Sequence, residues 1–162
     1  MMLTGLQSGA LGESIVTARL LRLGCTVLTP STPEPYDIMV TLNGRCVRVQ
    51  VKSAAKPLSH RNQRRYGFLV SCGGGKRMYP VGSVDIFVLI ALDTETCWVI
   101  PALHMSQKSV KIPAKTSGKW AKYLEAWGLV EQYSVSRETC RSRSDLNPSS
   151  DCATGSSVGG NY

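Results

Sequence analysis

The stretch YDIMVTLNGRCVRVQVKS, residues 36–53, decides how this chain folds. Asn43-Gly44 separates two β-rich runs, Tyr36–Leu42 and Arg45–Ser53. Asn-Gly accepts positive φ at both positions, as a tight hairpin turn requires, so the runs predict two antiparallel strands. In the second run Val47, Val49 and Val51 alternate with Arg48, Gln50 and Lys52. One face is therefore core, and the other faces a site or solvent. With a two-residue turn Leu42 pairs with Arg45, and Asp37 falls directly across from Gln50. Opposed Cβ atoms in such a pair lie about 5 Å apart. Lys52, two residues beyond Gln50, shares its face.

Working outward, Thr4 with Gln7, or Ser8, can cap a helix that runs to about Leu23 and stops at Gly24. Cys25–Thr29 reads as a short strand closed by a loop containing Pro30, Pro33 and Pro35. Residues 56–66 are polar and basic and read as a loop, followed by a strand over Gly67–Cys72. Gly73-Gly74-Gly75 is a flexible turn that lacks the phosphate-loop pattern. Val84–Leu92 is almost wholly apolar, as expected of a strand buried on both faces, and Asp93–Thr96 turns the chain into Cys97–Pro101. Trp120, Tyr123, Leu124 and Trp127 at helical spacing predict a last helix over about Gly118–Trp127, its aromatics facing the core. From Ser134 the chain is rich in Ser, Gly and Asn. The expected organisation is one mixed α/β sheet domain, residues 1–133, and a disordered Ser/Gly-rich tail, residues 134–162.

The 162 residues suit one domain, and 43% hydrophobic against 19% charged suits a buried core. No apolar run approaches the roughly 20 residues of a membrane span, and the first residues lack a signal-peptide profile. An intracellular, cytoplasmic protein with no membrane partner is expected. Its six cysteines form no CxxC pair, and His60 and His104 are isolated, so zinc-site spacing is absent and reduced thiols are expected.

Net charge is +8. Residues 134–162 carry three Arg and three acidic residues, so the excess lies upstream. Between Asp37 and Asp85 no acidic residue occurs, while Arg45, Arg48, Lys52, Lys56, Arg61, Arg64, Arg65, Lys76 and Arg77 do. A field of one sign this concentrated favours a polyanionic partner, most simply DNA. Candidate DNA contacts are Arg48, Lys56, Arg61, Arg64, Arg65, Lys76 and Arg77, with His60 beside them. A second run, Lys108, Lys111, Lys115, Lys119 and Lys122, extends this track or forms a solvated face.

On the hairpin, a carboxylate (Asp37), an amide oxygen (Gln50) and an ammonium (Lys52) share one patch at the start of that basic stretch. Hard oxygen donors suit Mg²⁺ or Mn²⁺, which keep waters and take further oxygens from a phosphate. Lys52 can meet the attacking water or the phosphoryl oxygens, where negative charge grows in the transition state. Singly, each residue could be an ordinary strand position; the shared face, register and charge field together favour a site. Glu13 lies on a helical stripe with Val16, Leu20 and Leu23, where a carboxylate is costly unless paired or metal-bound. A frayed first turn with Glu13 facing the helix dipole is the alternative. Asp85, opening a buried strand, reads as a cap or salt-bridge partner.

Gly12-Glu13 in a first helix, then Asp37, then Gln50-Val51-Lys52 on the next strand, resemble the PD-(D/E)xK nuclease superfamily. Within it the chain is similar to the small group I intron-associated homing endonucleases, over about residues 5–103. The resemblance implies a restriction-endonuclease-like core, a mixed sheet flanked by helices. It also implies catalytic residues Glu13, Asp37, Gln50 and Lys52, with Asp37, Gln50 and Glu13 at the metal. Gln50 stands where the usual motif has an acid, and the proline precedes the motif Asp by two positions, as Pro35-Tyr36-Asp37. The resemblance suggests that Gln is tolerated here, with Glu13 supplying compensating charge.

The expected function is a Mg²⁺-dependent DNA endonuclease of homing type that cuts both strands. One chain has one site, so a homodimer or homotetramer is implied. The rival readings are a Holliday-junction resolvase or repair nuclease of the same fold, a metal-free DNA-binding module in which Gln50 records lost catalysis, and a basic structural protein of a ribonucleoprotein.

Overall fold

A computed structural model describes residues 3–60, 63–73, 77–115 and 118–136. Helix α1 (Gly5–Arg22) begins with the expected capping box: Thr4 Oγ1 accepts the Gln7 N–H, and Gln7 Oε1 accepts the Thr4 N–H. It closes before Gly24, whose φ of 78° reverses the chain into strand β1 (Thr26–Leu28). Gly12, Val16 and Leu20 form its buried stripe.

The hairpin forms as read. Strands β2 (Ile38–Leu42) and β3 (Arg45–Ala54) pair antiparallel from Leu42↔Arg45 to Ile38↔Val49. Asn43 and Gly44 both take positive φ, 52° and 76°. Strands β6 (Ile86–Ala91) and β7 (Thr96–Pro101) complete a sheet ordered β1-β2-β3-β6-β7, antiparallel except for the β3–β6 pair. All six residues of β6 are buried, because both faces of the sheet are covered.

Helix α1 covers one face, where Val16 and Leu20 pack on Val47, Val49, Val51, Ile86, Val88 and Ile90. Helix α2 (Gly128–Ser136) joins that layer through Val130. A second sheet, β4 (Leu58–His60), β5 (Gln63–Leu69) and β8 (Ser109–Pro113) in the order β4-β5-β8, covers the other face. There Tyr66, Phe68, Val110 and Ile112 pack with Phe87, Leu89 and Trp98.

Two expectations are corrected. Much of residues 56–66 is strand: Leu58 pairs with Arg65 and His60 with Gln63, so a second hairpin stands where a loop was read. Gln63 and Arg64 are exposed, so this segment shows no apolar period at its start. The last helix is also displaced. The chain makes one 3₁₀ turn at Ala121–Tyr123, a bridge from Leu124 to Trp98, and only then α2. Glu125 holds the irregular segment at a φ of 49°: its carboxylate accepts the Cys97 N–H and the Trp127 Nε1–H and pairs with Arg19. Trp120 and Tyr123 are buried core residues, as read. α2 runs past the expected 133/134 boundary to Ser136, and residues 137–162 lie outside the described residues. No helix among the described residues is long and apolar enough to cross a membrane.

Candidate active site

Asp37 stands one residue before the β2–β3 ladder begins, its N–H donating to the Val49 carbonyl at 3.0 Å. Its Oδ2 accepts the Val51 N–H at 2.8 Å, doing for β3 what a further ladder carbonyl would have done. The same oxygen accepts from Gln50 Nε2, so the two side chains meet as the register required. Gln50 is 4% exposed and also donates to the Val51 carbonyl at 3.2 Å. Lys52 follows on the same face of β3: in the parallel ladder Gln50 lies beside Phe87 and Lys52 beside Leu89.

Glu13 comes from the other layer. A Cβ at Gly12 would lie 2.0 Å from Ser53 Oγ and 3.1 Å from Ile90 Cγ2. Only a glycine lets α1 approach β3 this closely, and the approach sets Glu13 beside the strand. Burial raises the Glu13 carboxyl above the usual carboxylate range, the Asp37 charge raises it further, and the Lys52 ammonium lowers it. Glu13, Asp37, Gln50, Lys52 and Ser53 line one cleft of about 400 Å³, with Ser8 and Gly9 of α1 at its rim. All four sequence-predicted residues therefore converge.

The donors fit a hard divalent cation. Two carboxylates and an amide face one cleft, and the desolvated Glu13–Asp37 pair is of like charge, which a cation would relieve. Ser53 Oγ is buried there with no hydrogen-bond partner. Gln50 presents its NH₂ to Asp37, so the amide must turn over for its oxygen to face a cation. Among the described residues no three His, Cys, Asp or Glu come together.

A family model described as PD-(D/E)XK endonuclease matches residues 4–130, a span that contains the whole cleft. The chain belongs to the PD-(D/E)XK endonuclease family. The solved structure of a bacterial homing endonuclease, I-Ssp6803I, matches with a TM-score of 0.66 at 22% identity, over 82% of this chain and 95% of that one. At that identity the likeness shows the fold, which is the restriction-endonuclease-like core expected from the sequence. None of the curated proteins matches the chain. Membership of the PD-(D/E)XK endonucleases makes this chain a nuclease, and both resemblances read from Gly12-Glu13, Asp37 and Gln50-Val51-Lys52 are found.

The basic residues of this PD-(D/E)XK endonuclease divide into two kinds. Arg48 was expected among DNA contacts, but its guanidinium is engaged within the fold: Nε reaches Asp85 Oδ2 and Nη2 reaches Oδ1, each at 3.1 Å, and its N–H donates to Oδ2 at 2.8 Å. Asp85 is thus the salt-bridge partner its strand-opening position suggested, tying β3 to β6. Lys56, Arg64 and Arg77 are exposed, and half-buried Arg65 braces against Gln63 Oε1 along the second hairpin. Arg61 and Lys76 lie outside the described residues. In the second lysine run, Lys119 and Lys122 sit over the rings of Trp120 and Tyr123. Sequence reading missed Ser53 and Tyr79, whose ring lies under the Lys52 ammonium; no local pattern marks either.

Proposed function

We propose that this nuclease is a Mg²⁺- or Mn²⁺-dependent DNA endonuclease that makes double-strand breaks in the manner of a homing enzyme. The observation that carries the reading is the meeting of Glu13, Asp37, Gln50 and Lys52 in one cleft. Asp37, Glu13 and the Gln50 amide oxygen would hold the metal. When bound, such an ion supplies a water of lowered pKa and neutralises charge on phosphate oxygens. Lys52 contributes a fixed positive charge where the phosphoryl oxygens gain negative charge, and it orients the attacking water. Attack in line breaks the P–O3′ bond, leaving 5′-phosphate and 3′-hydroxyl ends. Lys56, Arg61, Arg64, Arg65, Lys76 and Arg77 supply the contacts to the DNA backbone. Each chain has one cleft, so cutting two strands calls for a homodimer or homotetramer.

The test is incubation with duplex DNA and with four-way junctions, with Mg²⁺, with Mn²⁺ and with chelator. Metal-dependent cleavage of duplex is expected; preference for junctions would move the reading to a resolvase. A second reading, a catalytically silent DNA-binding module, draws on the Gln50 amide that already occupies Asp37. Salt-sensitive DNA binding with no cleavage and no metal uptake on titration would establish that reading in place of the first.

A further inference from the structure

Lys52 holds its ammonium 5.6 Å from the centroid of the Tyr79 ring. That ring stands in a T-shaped contact with Phe87, centroids 5.2 Å apart and planes at 70°. Phe87 is the β6 neighbour of Gln50 and is 3% exposed. A side chain from a loop distant in sequence is thus braced on the central sheet beneath the two β3 residues of the cleft. The loop is fixed on both sides of Tyr79. Before it, Cys72 and Arg77 exchange backbone hydrogen bonds of 2.9 and 3.2 Å. After it, the Pro80 carbonyl accepts the Ser83 N–H at 3.1 Å and the Ser83 hydroxyl at 2.8 Å.

We propose that Tyr79 is a positioning residue for Lys52: its ring face orders the flexible lysine stem so that the ammonium stands ready at the cleft. The inference rests on the nuclease reading above and adds a part to it. A lysine ammonium is a point charge on four rotatable carbons, and without a partner its position is spread over many rotamers. The negative face of an aromatic ring attracts the cation electrostatically and narrows that spread. Lys52 lines the same cleft as the Glu13 carboxylate on α1 and the Asp37 carboxylate ahead of β2. With its ammonium over the ring, Lys52 has a defined place at that cleft before any substrate arrives. The ring face does this, not the phenol hydroxyl.

Two substitutions separate ring from hydroxyl. Tyr79→Phe keeps the face and is expected to retain wild-type kcat. Tyr79→Leu keeps apolar bulk without the face and is expected to lower kcat about fivefold, with KM for DNA unchanged. A readout independent of cleavage comes from NMR of metal-free protein carrying ¹³C-labelled lysine. The Lys52 ε-CH₂ signal, assigned by its loss in Lys52→Arg, is expected upfield of the other lysines through the ring current, retained in Tyr79→Phe and gone in Tyr79→Leu. A Lys52 signal at the ordinary lysine position in the wild type, or one that Tyr79→Leu does not move, overturns the proposal whatever the cleavage result. So does a Tyr79→Leu protein that loses the shift but keeps full kcat. If the ring-current shift is present but the wild type cuts no DNA with either metal, the nuclease reading fails first, and the positioning role falls with it. Equal losses of kcat in Tyr79→Phe and Tyr79→Leu would assign the effect to the hydroxyl or to the loop and also overturn it.

Discussion

Two of the antiparallel strand pairs among the described residues, β2–β3 and β4–β5, have opposite surroundings. In β2–β3 both strands lie within the five-stranded sheet, and β3 is covered by α1 on one face and by the second sheet on the other. In β4–β5 the outer strand has three residues, its Leu58 is 67% exposed, and Arg64 faces solvent. The first holds side chains within hydrogen-bond distance of one another; the second offers charge to whatever approaches. In the proposed function, chemistry sits on the hairpin packed on both faces, and substrate contact falls to the one at the edge.

The sharpest way to break this contrast is at Lys52. Lys52→Ala is expected to lower kcat by about 10²–10³ while DNA affinity is kept, as for loss of one preorganised charge-stabilising donor. A parallel fall in cleavage and binding would place Lys52 with the contact residues instead. Next comes Arg48, an arginine of the buried hairpin. Arg48→Ala takes the guanidinium away from buried Asp85, which keeps the N–H of position 48, and is expected to cost about 2–3 kcal/mol of stability, read as a lower denaturant midpoint. If Arg48→Ala kept its stability and weakened DNA binding, Arg48 would belong to the contact surface after all.

Gly12→Ala probes how tightly α1 sits on β3. The added methyl meets Ser53 Oγ, so a loss of about 1–3 kcal/mol is expected, with part regained in Gly12→Ala/Ser53→Ala, where Ile90 Cγ2 at 3.1 Å and the residue-53 Cβ at 3.2 Å remain. On the outer hairpin, Arg64→Ala with Arg65→Ala is expected to leave stability unchanged and reduce the slope of log K against log salt by about 2, one phosphate contact each. The smallest effect concerns Glu13 in metal-free protein. In the fold its carboxyl is pushed up from the ordinary glutamate value, chiefly by burial and then by the Asp37 charge. The native state then binds more protons than the unfolded state in that window, so stability should fall as pH rises through it, and Glu13→Gln should flatten the trend. Thermal unfolding against pH in chelator measures this.

How far the fold could be read follows from the same contrast. The β2–β3 hairpin was legible because Asn43-Gly44 fixes a register and three valines mark the buried face. That register placed Asp37 against Gln50 without any tertiary knowledge, and Lys52 followed from strand alternation. Glu13 was ambiguous from its stripe and was placed through the family resemblance carried by Gly12-Glu13. The β4–β5 hairpin was not legible, since Gln63, Arg64 and Arg65 open it with no apolar period. Strand β8 does alternate, Val110 and Ile112 buried between exposed Ser109 and Lys111, but it lies inside a lysine run that read as a charged track. Trp120, Tyr123, Leu124 and Trp127 imitate a helix, but tight turns lay the first three on the core between the two sheets and Trp127 on the core under α1. The Arg48–Asp85 and Lys52–Tyr79 contacts depend on which strand lies beside β3 and where a distant loop lands, and neither is written locally.

The chain leaves β3, makes the entire outer hairpin, and returns to lay β6 parallel against the strand it left. The parallel pair makes such a long excursion obligatory, because adjacent parallel strands cannot be joined by a tight turn. The excursion is therefore a natural cassette. Its tip can be lengthened or recharged at small entropic cost, provided Tyr66 and Phe68 still plug the core, while the strand bearing Gln50 and Lys52 keeps its register. Under the proposed function, target preference could be retuned in this architecture without disturbing the blade that cuts.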